Sequence, residues 1–453
     1  MIEQKNSKTL TFDDIVASIS FEQFKASFLS WTEKDLQTKI ELVKDPPLRE
    51  QLQGYLKNTR EQLSDSDRAV AASKAEDPLY NIAYFARAMS QMHPGWGQEG
   101  FETAEFQSEV VKLYQKYRDN GQLTTQADIN RLLTDMWGIA ATTLPDNHFR
   151  IDAFNKKASK YSRPFKDKEK TLAEWSQERP LKVRHPDHGN VGKNVGLAPK
   201  PLTRILMCSN QATAEGVASL IVGECTRGSQ TFGVLGIPDC AVYWGTPKEK
   251  AGKERLNCLV QAFKENYQNW DGIIIDVRGN YGGSSIAMEE IAKILCGEKA
   301  PYCLQSKKRK TKEAALREIA STHTQEQAEW TSKDFEKQSN QPIFVLMDGQ
   351  TASSAEAIVP MLQHYKGVTF IGENTMGCCQ YGGIKPVPLP CGGVLHIGTV
   401  FRTYEHGIVE CVGHTPDIDC TGRDALQVAL EQIDQRQKSM DQAVKRNASK
   451  GRV

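Results

Sequence analysis

Two stretches in the C-terminal half of the 453-residue chain decide its fold: residues 271–283 read DGIIIDVRGNYGG, and residues 341–356 read QPIFVLMDGQTASSAE. Each begins with a nearly continuous apolar run, typical of a strand buried on both faces of a sheet, and each ends in a loop rich in glycine or serine. Helical patterns at 253–268 and 285–296 lie between them. Because strands and helices alternate in this way, the sequence predicts an α/β domain with helices flanking a mixed sheet.

The chain before this region has a different periodicity. Apolar residues recur at helical spacing through its first 150 residues, for example at Phe21, Phe24 and Phe28 and in LYNIAYFARAMSQM at 79–92. An all-helical N-terminal domain is therefore expected to precede the α/β core. The predicted organisation is a helical domain at 1–150, a polar linker or flap at 151–203, an α/β core at 204–435 and a charged C-terminal tail at 436–453.

Further elements are predicted inside the core. SSAEAIVPMLQHY at 353–365 has the pattern of a helix that begins within the second stretch, and GGVLHIGTVFRT at 392–403 that of one arm of a β-hairpin. Apart from RILMCSN at 204–210, residues 151–230 lack clear alternating strands.

Composition restricts the function classes. Lys and Arg total 57 against 56 Asp and Glu, a net charge of +1, so neither nucleic acid nor an anionic membrane surface is an expected partner. The N-terminus is polar, without a signal-peptide pattern, and no run of 18 apolar residues occurs, so a cytoplasmic location without membrane insertion is expected. Eleven cysteines with no C-x-x-C pair predict free thiols in a reducing compartment.

The sequence predicts no metal or cofactor. His185 and His188 have H-x-x-H spacing, but Pro186 and Gly189 disfavour the helix that would put both rings on one face. The adjacent pair Cys378-Cys379 has a poor spacing for zinc ligands.

Three features carry chemistry, and each alone has a plain alternative. The glycine pair after the first strand, Gly282-Gly283, could present amides to an oxyanion, form an ordinary strand-to-helix turn, or cradle a phosphate. Ser353 follows the second strand, where a serine is more often a helix N-cap than a nucleophile. His148, in LPDNHF, would alone be taken as structural.

Taken together, the motifs resemble those of the tail-specific (C-terminal processing) serine peptidases, the family that includes the tricorn core peptidase. The matching segments are DVRGNYGG at 276–283, GQTASSAE at 349–356, IGENTMG at 371–377 and ECVGHTPDI at 410–418. They occur in the family order, and the resemblance covers about 230–420. It implies a ClpP/crotonase-like peptidase core, and residues 151–230 lack the PDZ module that many members carry.

The resemblance also implies roles for individual residues. Ser353 would be the nucleophile, and oxyanion donors would be the amide of Ser354 and that of Gly282 or Gly283. In the tricorn branch a histidine is the base and a glutamate orients it. The matching positions are His148 and Glu410.

The chain departs from the family at the general base. Many members have a lysine 25 residues after the serine, where this chain has Cys378, and the nearest downstream lysine is Lys385. A histidine base, which titrates near neutrality, fits the chain better. His406 and His414 flank Glu410 and are rival bases.

The resulting expectation is a serine endopeptidase that hydrolyses protein or peptide substrates through an acyl-enzyme, with Ser353, His148 and Glu410 as its triad. A homo-oligomer is compatible with the sequence. Two alternatives stay open: an inactive pseudo-peptidase that binds a ligand or partner, and a thiol-assisted hydrolase in which Cys378 does the chemistry.

Overall fold

A computed structural model describes residues 9–44, 46–98, 101, 103–121, 125–152, 202–213, 216–240, 249–296, 305–319, 341–363, 365, 367–404 and 410–450. The proposed linker or flap at 151–203 and the two histidines within it fall almost wholly outside these residues. No helix in the described ranges combines the length and the apolar composition needed to cross a bilayer. The ten cysteines in these ranges are free thiols.

The described residues up to 143 form seven helices, which confirms the helical N-terminal region. Their bounds are α1 Phe12–Ala17, α2 Phe21–Leu42, α3 Pro46–Glu61, α4 Asp65–Lys74, α5 Pro78–Met92, α6 Ala104–Asp119 and α7 Gln126–Thr143. Four of them begin with a capping box. At α7 the Thr125 hydroxyl accepts from the Asp128 amide and the Asp128 carboxylate accepts from the Thr125 amide, both at 3.2 Å. Such boxes satisfy amides that have no partner inside the helix.

Thirteen strands are described. Their bounds are β1 Arg150–Asp152, β2 Arg204–Thr213, β3 Gly216–Arg227, β4 Gln230–Gly236, β5 Gly272–Asp276, β6 Gln305–Lys308, β7 Ile343–Met347, β8 Val368–Gly372, β9 Tyr381–Gly382, β10 Lys385–Pro388, β11 Val394–Ile397, β12 Val400–Thr403 and β13 Ile418–Asp419. Seven of these strands form one sheet in the order β13-β8-β7-β5-β4-β3-β2. The pairs from β13 to β4 are parallel and the two pairs from β4 to β2 are antiparallel, so the predicted mixed sheet is confirmed.

Five more helices accompany the strands: α8 Glu249–Asn266, α9 Ile286–Cys296, α10 Lys312–Ile319, α11 Ile358–Leu362 and α12 Ala425–Lys450. One face of the sheet packs on α8, α9 and α11 in a core that includes Leu259, Ile273 and Ile291. The other face packs on α12 through residues such as Ile274 and Val428. Because both faces are covered, β5 and β7 are buried at every position. The helix α12 crosses residue 435, where the sequence placed the end of the core.

A second hydrophobic core joins the helical region to two three-stranded sheets, with strand orders β1-β11-β10 and β6-β12-β9. Phe24 and Tyr84 stack in it with ring centroids 4.2 Å apart, and it extends to Tyr381 and Leu395. Strand β1 pairs with β11, so Arg150 lies opposite His396. The chain that leaves α7 is therefore attached to the C-terminal part of the molecule.

The structure corrects two predicted elements. The hairpin arm predicted at 392–403 is divided into two strands: β11 pairs antiparallel with the preceding strand β10 and with β1, whereas β12 pairs with β6 and β9. The helix predicted over 353–365 is interrupted, because Ser353–Ala355 form a 3₁₀ turn and α11 begins only at Ile358.

A buried ion network attaches α12 to the end of β5. The Arg278 guanidinium donates to both Asp276 carboxylate oxygens at 2.9 Å and to Asp424 Oδ1 at 2.6 Å. Asp276 is fully buried and Arg278 is 2% exposed. Asp424 directly precedes α12 and also accepts from the Leu426 amide at 3.0 Å. Charges this deeply buried persist only when they are paired.

We predict that Arg278→Ala lowers the free energy of unfolding by about 3–5 kcal/mol, because it removes the bidentate partner of a fully buried carboxylate. Urea unfolding followed by circular dichroism measures the change. The matched control is Arg423→Ala. Arg423 forms an ion pair with Glu431 at the surface, where the two side chains are 58% and 40% exposed. That change should cost at most about 1 kcal/mol. Equal losses in the two variants would contradict a special role for the buried network.

Candidate active site

Ser353 lies in a strained turn just after β7. Its φ is +55°, and among the described residues only Cys411 is another non-glycine residue with positive φ. A left-handed conformation costs a residue with a side chain about 1–2 kcal/mol, and such strain is frequent at functional sites. The Ser353 amide donates to Glu356 Oε2 at 3.1 Å. The conformation therefore has a specific partner that holds it.

The glycine loop after β5 packs directly against this turn. The Ala352 amide donates to the Asn280 carbonyl at 2.9 Å. Gly282 has a φ of +89°, and a Cβ at this position would lie 2.6 Å from Ser353 Cβ. Only glycine can therefore occupy position 282 while Ser353 keeps its place.

The candidate oxyanion donors differ in whether their amides already donate a hydrogen bond within the protein. The Gly282 amide donates to Asn280 Oδ1 at 2.8 Å. No described residue accepts a hydrogen bond from the amide of Gly283 or of Ser354. Of the two glycines named from the sequence, Gly283 is therefore the better donor for a ligand oxygen.

His148 lies beside the serine although 205 residues separate them. Its Nε2 is 2.8 Å from Ser353 Oγ, a hydrogen-bond distance. The LPDNHF segment forms a turn between α7 and β1, and Asp146 Oδ1 accepts from the amides of His148 and Phe149 at 2.7 and 3.2 Å. The carboxylate thus fixes the backbone that carries the imidazole.

A second histidine, which the sequence did not single out, supports this turn. His93 Nε2 lies 2.9 Å from Asp146 Oδ2, and both side chains are fully buried. The Gly95 amide donates to His93 Nδ1 at 3.1 Å. Nδ1 is therefore the acceptor, so the hydrogen of a neutral His93 lies on Nε2 and is donated to Asp146.

Glu410 lies behind His148. The distance from Glu410 Oε1 to His148 Nδ1 is 3.9 Å, longer than a hydrogen bond. Oε1 accepts from the Asn147 amide at 2.9 Å, and Oε2 accepts from the amides of Cys379 and Gln380 at 3.1 and 2.9 Å. Burial and the negative charge of Asp146 raise the pKa of Glu410 well above its usual range, whereas the amide donors oppose the rise.

Glu356 is a site residue that the sequence motif contained but to which no role was given. Besides the Ser353 amide, it accepts from the amides of Gly377 and Cys378 at 2.8 and 2.7 Å and from the Thr375 hydroxyl at 2.5 Å. Burial raises its pKa, and these donors oppose the rise. The sequence contained a signal for this role, because Ser353 and Glu356 have the S-x-x-E spacing of a capping box.

The rival bases have other surroundings. His406 lies outside the described residues. His414 packs edge-on against Phe370 with ring centroids 4.9 Å apart, and burial lowers its pKa. Lys385 lies on β10. Among the described residues, Ser353 Oγ forms its hydrogen bond with His148 and not with His414 or Lys385.

Cys378 is buried next to the histidine and the glutamate. Its Sγ, one ring nitrogen of His148 and one carboxylate oxygen of Glu410 all lie within 4.8 Å of one another. The residue in the usual lysine position is thus part of the same cluster, and Ser353, His148, Glu410 and Cys378 are brought together by the fold.

We predict that Gly282→Ala lowers kcat/KM by about 100-fold, because the new methyl group displaces Ser353 and misplacement by about 1 Å can cost that much. Steady-state kinetics with a peptide substrate measures the loss.

Gly228→Ala is the matched control. Gly228 also has a positive φ, +58°, but a Cβ there meets nothing within 4 Å. This variant should lose about 1–2 kcal/mol of stability and keep its activity. Comparable kinetic losses in both variants would show that backbone strain, and not the contact with Ser353, sets the effect.

Comparison with known proteins agrees with the predicted resemblance. Residues 232–420 match the model of peptidase family S41. No curated protein matches the sequence.

Three solved structures illustrate the likeness. Mature CPAF complexed with lactacystin is 13% identical, with 81% of this chain and 98% of that chain covered and a TM-score of 0.48. The photosystem II D1 C-terminal processing protease is 14% identical, with 77% and 92% covered and a TM-score of 0.35. The tricorn protease is 14% identical, with 80% and 37% covered and a TM-score of 0.39. The family match and the motifs within it make residues 232–420 similar to the peptidase domains of family S41.

Proposed function

We propose that this chain hydrolyses peptide bonds through an acyl-enzyme, with Ser353 as nucleophile, His148 as general base and Glu410 as the group that orients the base. The observation that carries this assignment is the 2.8 Å contact between His148 Nε2 and Ser353 Oγ. A serine hydroxyl is a weak nucleophile and needs a base within hydrogen-bond reach.

The steps follow from the positions of the atoms. As Ser353 Oγ attacks the substrate carbonyl carbon, its proton passes to His148 Nε2 and negative charge develops on the carbonyl oxygen. The amides of Gly283 and Ser354 are the donors for this oxygen. His148 then gives the proton to the leaving amine, and a water molecule hydrolyses the ester by the same route.

Glu410 would act when His148 becomes positively charged. At 3.9 Å the carboxylate is outside hydrogen-bond distance of Nδ1, and catalytic hydrogen bonds are often long before substrate binds. A charged imidazolium would draw the two groups together and favour the ionised form of Glu410. Its three amide donors keep the carboxylate in place during this change.

The substrate class follows from the family match, and a protein or peptide is expected. A homo-oligomeric state and a cytoplasmic location stay predictions. That nucleic acid is not a partner also stays a prediction, which rests on the net charge of +1.

We predict that Ser353→Ala abolishes hydrolysis and labelling by a fluorophosphonate probe while the fold is kept, since alanine and serine pay similar backbone strain at this position. Cys378→Ala should keep substantial activity and full labelling. Activity lost in Cys378→Ala and kept in Ser353→Ala would assign the chemistry to the thiol. An intact wild-type chain that neither turns over peptides nor reacts with the probe would favour a pseudo-peptidase.

We predict that His148→Ala lowers kcat by roughly a thousandfold or more, in line with the removal of triad members elsewhere. The wild-type kcat/KM should fall as the pH drops below about 6–7, because an imidazole must be neutral to accept the serine proton. The matched control is His414→Ala, which should retain most of the rate. A dead His414→Ala with an active His148→Ala would move the base to the Glu410 segment.

A further inference from the structure

The cluster of His148, Cys378 and Glu410 has the chemistry of a transition-metal site. A nitrogen, a sulfur and an oxygen lie within 4.8 Å of one another, and in the described part of the chain this is the group of three such side chains that can converge on one ion. Cys378 and Glu410 are 6% and 4% exposed. Thiolate, imidazole and carboxylate are the side chains that bind Zn²⁺ in proteins.

We propose that His148, Cys378 and Glu410 bind a single Zn²⁺ or chemically similar divalent ion, and that the bound ion switches the site off. Three protein ligands with one position left for water is a common zinc arrangement. The inhibition depends on the activity proposed above, whereas metal binding itself does not.

The spacing of the three groups is compatible with one ion. Zinc bonds of about 2.0–2.3 Å in tetrahedral geometry separate the ligand atoms by roughly 3.4–3.6 Å. His148 Nδ1 and Glu410 Oε1 are 3.9 Å apart, so a small inward shift brings them to that separation. Nε2 faces Ser353 at 2.8 Å, which leaves Nδ1 as the metal ligand.

The neighbours of Glu410 leave an oxygen available. Oε2 accepts two amide hydrogen bonds, from Cys379 and Gln380, whereas Oε1 accepts one, from Asn147. A carboxylate oxygen has two lone pairs, so Oε1 can bind an ion and keep its amide donor. The same amides that hold the carboxylate for catalysis would therefore hold it for the metal.

Metal binding would block the base through its tautomer. An ion on the Nδ1 lone pair requires the hydrogen of a neutral imidazole to lie on Nε2. Nε2 then has no lone pair to accept the Ser353 proton. Binding also displaces the Cys378 thiol proton to solvent, because the thiolate is the form that ligates.

The test uses the full chain and measures metal binding directly. Apo protein is titrated with Co²⁺ and followed by its absorption spectrum, and the Zn²⁺ affinity is measured by competition with a chelating dye. We expect one Co²⁺ per chain with a thiolate-to-cobalt charge-transfer band. Cys378→Ser should remove the band and weaken Zn²⁺ binding by at least tenfold.

Two controls isolate the site. Cys411→Ser changes the thiol next to Glu410 in sequence, and Ser353→Ala removes the nucleophile; both should keep the band and the wild-type affinity. A missing band in the wild type, or a band that persists in Cys378→Ser, would overturn the site. Because the Ser353→Ala protein has no hydrolytic chemistry, this result stands whether or not the proposed function holds.

The functional consequence is read in the wild-type enzyme. Zn²⁺ should inhibit peptide hydrolysis with a midpoint equal to the measured dissociation constant, and a chelator should restore the rate. In Cys378→Ser, inhibition relative to the metal-free rate of that variant should need at least tenfold more Zn²⁺. Metal bound at full occupancy with an undiminished rate would overturn the inhibitory role.

Discussion

The parallel pairing of β5 with β7 is the constraint on which the site depends. In this pairing Asp276 lies opposite Leu346, so the two strands end at the same edge of the sheet. The glycine loop and the serine turn leave from that edge and meet. Ligand sites in open α/β sheets form at the carboxyl ends of strands for this reason. A shift in register would separate Gly282 from Ser353 and remove the contact between the two loops.

The loops around the site are irregular, and buried carboxylates supply the acceptors that a helix or sheet would otherwise provide. Asp146 accepts from the turn that carries His148, and Glu356 accepts from the Ser353 amide and the segment at 377–378. Glu410 accepts from the Asn147 amide and from the segment at 379–380. Buried amides need such partners. Each carboxylate also loses solvation, which is why burial raises the pKa values of Glu356 and Glu410. The same buried carboxylates thus hold the loops in place and cost free energy of solvation.

The elements that could be predicted from the sequence are those that a local hydrophobic pattern determines. Strands β5 and β7 were evident because burial on both faces makes them continuously apolar. Strand β3 was missed, because its continuous apolar run is only Leu220–Val222 and is flanked by Ser219 and Gly223. The arm predicted at 392–403 was found only in part, because β11 pairs with the neighbouring strand β10 whereas β12 belongs to another sheet with β6 and β9. Periodicity could not place His148 beside Ser353; only the family resemblance suggested it.

The backbone conformation of Ser353 likewise could not be predicted from the local sequence. A helical pattern begins at this residue, yet the backbone takes a left-handed turn, because the hydrogen bond to Glu356 and the close approach of Gly282 impose it. No local propensity favours serine in that conformation. Tertiary contacts decide the geometry, and they become visible only in the structure.

The left-handed conformation of Ser353 has an evolutionary consequence. Glycine would occupy the position without strain, so a chain selected for folding alone would gain stability by giving up the hydroxyl. Serine is kept at a cost of about 1–2 kcal/mol, which is a trade of thermodynamic stability for chemistry. A descendant released from selection for hydrolysis would be expected to drift toward glycine at this one position and to become more stable as it lost its activity.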